Sequence, residues 1–525
     1  MKATQKTAAK IGLFSSIITI FGGVVGLGIF FKNTSVFNLN QHNPYGTIIS
    51  WIVTTFIVFC IALSFGQIVS CKTNDKLGLG SWVEQYNGKK FGRYVKILQP
   101  LAYWIGQSLV CVLYCGEAII NMAISIKTGG RDVGNINFKY QSLAIFGSGF
   151  ALLFIFVLLN YFAERFTKKF DLILSYFKFL PLAIVIISGI IGGFVVDHKF
   201  GLWTAKYYQA NARAWVPIGT NKCSLNTFLA VPSILFTFEG YLIIGNLTDE
   251  IDKPEKNVPL SIIFGIALVT IIYLSVTIAC ITIGVGNVYD LMNVLFWKNP
   301  KICQIMNNIF SFFLVVCVIN ISDCKIICSL KSINFLLKNN MIFVPQKIQN
   351  NNKKKNEKKI AIMYYLFVVG FVGSSLFIPS VIFESEQFVN GFCDVNIVFF
   401  YLIYGIVVLG GFINSLTKKV KTSVNIKGFM IISFLGACGA FTIFLFNTIN
   451  QFILPQFYNP WGHEVGKTWH LFVQDINGYM VTLQNWQTTI VFWSFLFFLC
   501  LLPIFNDFLM KICKNKYYHK SNCLI

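Results

Sequence analysis

The stretch Phe21-Gly22-Gly23-Val24-Val25-Gly26-Leu27-Gly28-Ile29-Phe30 decides how this chain is read. It lies inside an apolar run from Ile11 to Phe31, which at about 1.5 Å per residue is long enough to cross a hydrocarbon core of about 30 Å. Four of its ten residues are glycine, and each costs a helix interior roughly 0.5–1 kcal/mol relative to alanine. The run therefore predicts a membrane span that is broken in its middle. In lipid an unpaired N–H or C=O costs several kcal/mol, so unwound backbone survives only where it is buried in protein or lines a watery cavity. A break in a span points to a binding site.

Composition agrees with a chain embedded in lipid. Of 525 residues, 55% are hydrophobic, 16% aromatic and only 12% charged, which excludes an ordinary soluble fold and a disordered chain. Apolar runs predict twelve spans near 11–31, 47–70, 97–120, 141–160, 172–196, 225–247, 259–284, 304–330, 361–383, 395–416, 428–453 and 488–510. With these spans, 30 of the 43 Lys and Arg fall in loops and tails on one face and 11 on the other, while Lys178 and Lys325 lie inside spans. Basic residues gather on the cytoplasmic side, so both termini are expected there. The net charge of +22 follows from this topology, and nucleic acid is set aside as a partner in favour of the lipid bilayer.

The fifteen cysteines are scattered through apolar runs without paired metal spacing, and the five histidines, at 42, 198, 463, 470 and 519, show no ligand spacing. No metal site, cofactor or catalytic group is expected, and no phosphate-binding loop or nucleophile motif is present in the sequence. The chain reads as a non-enzyme.

The sixth span repeats the oddity of the first. In Val231-Pro232-Ser233-Ile234-Leu235-Phe236-Thr237-Phe238-Glu239-Gly240-Tyr241 a carboxyl sits beside a glycine, about 21 Å down a helix starting near Leu225. Interrupted helices at matching positions in two halves of opposite topology are the mark of an inverted-repeat transporter with its site at the midplane.

These residues resemble the amino acid permeases of the amino acid-polyamine-organocation superfamily. Val25-Gly26-Leu27-Gly28-Ile29-Phe30 is similar to the family's first-span motif, and Phe236-Thr237-Phe238-Glu239-Gly240 with Asp249 to Pro259 resembles its sixth span and following loop. Leu159-Asn160 through Lys178-Phe179-Leu180-Pro181-Leu182 is like the fourth-to-fifth span connection, and Lys331 to Asn340 resembles the end of span eight. The resemblance implies an all-α polytopic fold of twelve transmembrane helices: a five-plus-five inverted repeat with broken helices one and six, plus two extra helices. The expected organisation is a cytoplasmic tail at 1–10, a ten-helix core at 11–416 (repeats about 11–196 and 225–416), two further helices at 428–510 enclosing an extracellular loop 454–487, and a cytoplasmic tail at 511–525.

The implied function is secondary active transport of an amino acid across the plasma membrane by alternating access, coupled to a proton or working by exchange. A polyamine or cationic amine carrier, and a non-transporting nutrient sensor with the same fold, are the alternatives; oligomeric state is left open. The N–H groups of Leu27 and Gly28, next to Gly26, would hold the carboxylate, and the carbonyls of Val24, Phe236 and Glu239, beside Gly240, the amine. Where Leu27 stands the family usually has a small residue, often Ser. Phe236 aligns with an aromatic gate. Gln107 matches a position facing substrate, or else makes an interhelical hydrogen bond. Among intramembrane ions, each costing about 2.5–3.5 kcal/mol at a helix centre, Lys178 and Asp323 are expected to pair and couple transport to a proton, the alternative for Lys178 being to snorkel. Lys325 is expected to snorkel to the inner interface. Glu239 either attracts a cationic substrate or pairs within the protein.

Overall fold

The computed structural model describes residues 11–26, 28–73, 75, 77–129, 140–195, 206–209, 214–217, 225–286, 288–296, 299–343, 357–382, 387–463, 472–474 and 480–522. Leu27 and, within the segment 454–487 between the last two expected spans, residues 464–471 and 475–479 lie outside them. Apart from two short antiparallel hairpins, Lys206–Gln209 with Ala214–Pro217 and Phe472–Gln474 with Met480–Thr482, the described elements are helical. Eleven helical stretches among the described residues are long and apolar enough to cross a membrane, and Leu13–Val24 is a shorter apolar helix. The chain is therefore a polytopic, all-helical membrane protein.

The first expected span is not one continuous helix. Helix α1 (Leu13–Val24) stops, a π-helical turn runs over Gly28–Lys32, and α2 (Asn33–Leu39) continues the rise. Next come α3 (Pro44–Ile68), α4 (Leu79–Asn87), α5 (Lys89–Leu98), α6 (Trp104–Thr128), α7 (Gln141–Phe162), α8 (Glu164–Phe177) and α9 (Phe179–Val195). The sixth span is again in pieces: a 3-10 turn at Leu225–Ala230, α10 (Val231–Thr237), and a 3-10 segment at Tyr241–Glu250. The remainder is α11 (Pro254–Ile283), α12 (Val288–Leu295), α13 (Pro300–Lys338), α14 (Glu357–Ile382), α15 (Gln387–Thr417), α16 (Phe429–Asn447), α17 (Leu454–Tyr458) and α18 (Asn485–Asn522).

Burial sorts these helices. The 227–248 stretch that contains the second interruption is 89% buried, against 28% for the window of α18 and 39% for that of α7, so the interrupted segment is central and the others line the rim. Rim helices turn large apolar side chains outward, among them Phe154 on α7, Phe367 and Phe371 on α14, and Phe497 and Phe505 on α18. A lipid solvent removes the cost that water would impose on such surfaces. In the interior α1 packs against α11, α6 against α13, and α15 against α16.

Two glycines make the interruptions sterically feasible. Gly26 has φ +149° and Gly240 φ +104°, regions that residues with a Cβ rarely enter. At Gly240 an added Cβ would also lie 2.9 Å from the Gly23 carbonyl oxygen. Gly240→Ala should therefore lower stability by about 1–3 kcal/mol, read as an earlier thermal unfolding transition in detergent. Gly370→Ala in α14, where an added Cβ meets open space, should leave it unchanged; equal stability of both variants would contradict the packing argument.

Candidate functional site

The two interruptions meet. A Cβ on Gly28 would overlap the backbone of Thr237, so the start of the second half of span one lies directly against the end of α10. Backbone bonds at the far ends fix the same pairing, with the Ile11 N–H donating to the Glu250 carbonyl at 2.8 Å and the Asp252 N–H to the Ile11 carbonyl at 3.0 Å.

Side chains then satisfy the carbonyls that the breaks leave without helical partners, as a low-dielectric interior requires. The Tyr273 hydroxyl of α11 lies 3.0 Å from the Val24 carbonyl and 2.9 Å from that of Thr237, sharing its one O–H between the two breaks. The Lys178 ammonium, fully buried between α8 and α9, donates to the carbonyls of Gly22 at 2.6 Å and Val25 at 2.8 Å. A cation thus occupies the negative end of α1, where the helix dipole favours it.

Glu239 sits in the second break, buried. Its Oε1 accepts from the hydroxyls of Tyr103 and of Tyr404 (3.2 Å) and from the Gly240 N–H at 3.3 Å. Tyr103 ends the π-helical turn Gln99–Tyr103, which runs on into α6, and Gln107 lies four residues further along, hence on the same face of this continuous helical stretch. One turn beyond Tyr103, the Gln107 Oε1 accepts from the buried Lys325 ammonium of α13. Phe236, in the last turn of α10, packs against Tyr114 with ring centroids 6.1 Å apart and lies under the Lys32 ammonium, 5.1 Å from its ring centre. Lys32 in turn forms an ion pair with Asp394 of α15 at 3.1 Å, with each side chain only 4% exposed.

Several expectations need correction. No ion pair joins Lys178 to Asp323: the lysine is spent on the break carbonyls, and Asp323 Oδ1 instead accepts from the Asn160 amide. Asp323 also lies against Asp171, whose Oδ1 takes the Asn320 amide at 3.3 Å. Lys325 does not snorkel; it is 3% exposed, because its helix places it in the interior facing α6. Of the residues expected at the site, Val24, Gly28, Phe236, Glu239 and Gly240 come together around the two breaks, Gln107 joins through the Tyr103 face, and Leu27 lies outside the described residues. Sequence reasoning missed Lys32, Asp394, Asp171, Tyr103, Tyr273 and Tyr404. Asp394 and Asp171 fell just outside their expected spans, and the tyrosines carried no signal separate from 21 Tyr in an aromatic-rich chain.

Removing one partner of a buried ion pair strands the other charge, at a cost of about 3–5 kcal/mol. Asp394→Ala should therefore lower the unfolding temperature markedly, whereas the double variant Lys32→Met with Asp394→Leu should recover most of the loss, since no lone charge remains. A double variant no more stable than the single one would show that the pair is not the source of the effect.

The sequence pattern of the amino acid permease family matches residues 11–482. A protein of Mycoplasma pneumoniae without a described function is 21% identical over 474 residues, covering 80% of both chains. A serine/threonine exchanger of Bacillus subtilis is 21% identical over 53% of this chain and 56% of its own, and an arginine/ornithine antiporter of Lactococcus lactis is 22% identical over 58% and 59%. The chain thus spans somewhat over half the length of these two transporters. Taken with the membrane-spanning helices and the two facing interruptions, the match across nearly the whole chain means that this protein belongs to the amino acid permease family of the amino acid-polyamine-organocation superfamily, a family of transporters rather than enzymes.

Proposed function

We propose that this chain carries an amino acid across the plasma membrane by alternating access, as a secondary transporter coupled to a proton or working by exchange. The observation that supports this best is the pair of helix breaks pressed together at Gly28 and Thr237, because such breaks offer a zwitterion N–H groups at a helix start and carbonyls with a second lone pair to give. In this reading the N–H groups of Leu27 and Gly28 hold the carboxylate at a helix N-terminus. The carbonyls of Val24, Phe236 and Glu239 face the ammonium group, and Phe236 closes over the ligand. The relatives named as transporters of serine, threonine, arginine and ornithine support an amino acid as the cargo class.

The proposed arrangement has twelve spans. Helix α1 with the Gly28–Leu39 segment is the first; two five-span repeats, about 11–196 and 225–416, form the core; and 428–510 supplies two appended helices. The basic excess in alternate loops supports cytoplasmic termini. On that side a cleft lined by Ile11, Thr19, Asp171, Ser175, Glu250 and Cys324 lies beside the start of α1.

Lys178 is the proposed coupling group. Its ammonium ties Gly22 and Val25 across the break, and loss of the proton would remove the charge that holds those carbonyls, loosening α1 from α8. Asp323, with Asp171 beside it, stands on the same cytoplasmic side as an acceptor.

The purified protein in proteoliposomes, given a labelled amino acid mixture with and without a pH gradient, should accumulate label or exchange it, with the gradient altering the rate. Neither uptake nor exchange of any amino acid would defeat the transport reading. Lys178→Met should abolish the response to the gradient while leaving exchange measurable; a response like that of the wild type would remove Lys178 from the coupling.

A further inference from the structure

Against one helix face, that of Tyr103 and Gln107, the site holds a buried negative side chain, Glu239, and a buried positive one, Lys325, and both have hydrogen-bonding capacity left over. Glu239 Oε1 is spent on Tyr103, Tyr404 and Gly240, yet its Oε2 has no hydrogen-bond partner among the described residues although it is buried. Gln107 Oε1 accepts from Lys325, while the Gln107 amide nitrogen is buried and without a partner. The Lys325 ammonium carries three N–H donors, of which the Gln107 oxygen takes one. Tyr103 and Gln107 are separated by one helical turn, about 5–6 Å on the helix surface, so Glu239 and Lys325 are held at successive turns of one face. Glu239 and Lys325 form no ion pair with each other; each is held instead by a neutral partner on that face.

This arrangement decides what kind of side chain suits the site. A cationic ligand would find Glu239, but its charge would be opposed by Lys325 one turn away. An anionic ligand would meet Lys325 and be opposed by Glu239. An apolar ligand would leave the Glu239 oxygen, the Gln107 amide and the spare lysine N–H groups without a partner on the ligand in a buried site, the arrangement that discriminates most strongly against a substrate. A neutral side chain carrying both an acceptor and a donor meets every requirement: its oxygen takes N–H groups from Lys325 and Gln107, and its N–H or O–H goes to Glu239 Oε2.

We infer that Glu239, Gln107 and Lys325 form a side-chain subsite selecting amino acids with a neutral donor–acceptor side chain, the carboxamides of glutamine and asparagine above all. This rests on the transport reading and names the substrate class within it. Glu239 and Lys325 neutralise one another in the free protein, and each turns into a charge selector once the other is removed.

The test uses purified protein in proteoliposomes, with labelled glutamine uptake challenged by unlabelled glutamine, asparagine, leucine, arginine and glutamate, and the same panel applied as thermal stabilisation of the protein in detergent. In the wild type, glutamine and asparagine should compete and stabilise, with leucine, arginine and glutamate weaker by roughly tenfold or more, the factor for about 1.4 kcal/mol. Lys325→Met should admit arginine and weaken glutamine, and Glu239→Gln should admit glutamate. Lys325→Arg, which keeps the charge, should retain the glutamine preference and shows whether loss in Lys325→Met is a folding effect. Wild-type stabilisation by leucine or arginine equal to that by glutamine overturns the subsite while leaving transport intact. So does a folded Lys325→Met protein that gains nothing for arginine. Absence of stabilisation and uptake with every amino acid counts instead against the transport reading.

Discussion

The structure depends on one requirement: a backbone inside lipid must find a partner for every N–H and C=O. Spans one and six abandon the helix in the middle of the protein and so forgo the intrahelical bonds that would meet it. They do so only because they abandon it against each other. Tyr273 shares its hydroxyl between Val24 and Thr237, and Lys178 reaches across to Gly22 and Val25. The surrounding helices shield the breaks from lipid, which explains why the segment carrying the second break is the most deeply buried of the spans.

Charge placement follows the same economy. Each intramembrane ion in the central region has an assigned neighbour: Lys32 with Asp394, Lys178 with two carbonyls, Lys325 with Gln107, and Glu239 with two tyrosines and a backbone N–H. Buried ions contribute little net stability, because desolvation cancels much of the attraction. Their value is positional. They connect elements that must move relative to one another if the site is to open to either side, namely α1 to α8, the second half of span one to α15, and the second break to α6 and α15. In a family of transporters, contacts of this type are the ones a change of protonation or ligand can reverse.

Much of the membrane architecture was legible in the sequence because hydropathy is a property of length and composition. Eleven of the expected spans overlap the membrane-length helices, with edges shifted by a few residues; the expectation at 97–120 proved to be part of a longer stretch, 89–128. The two glycine-rich interruptions were legible for the same kind of reason, since glycine's backbone cost is local. The residues missed were those whose meaning is not local. Asp394 and Asp171 sit at the edges of apolar runs, where a hydropathy reading trims a charge out of the span and assigns it to water; the fold buries both. Lys325 was read as snorkelling because its distance from the interface permits that, whereas which way its helix faces depends on packing against α6.

By itself, then, the sequence determined that the chain spans a membrane many times, which side its basic loops favour, where its backbone gives way, and which family its motifs resemble. These follow from residue counts, run lengths and the energetic cost of glycine along one stretch of chain. Only the tertiary structure decided what each buried ion touches. It took Lys178 away from Asp323 and gave it to the Gly22 and Val25 carbonyls, paired Lys32 with Asp394 across 362 positions, and set Lys325 on Gln107, one helical turn from the Tyr103 that holds Glu239. The reason is that pairing in a low-dielectric interior acts over a few ångströms, and no pattern along the chain reports which groups from distant helices will be brought within that reach.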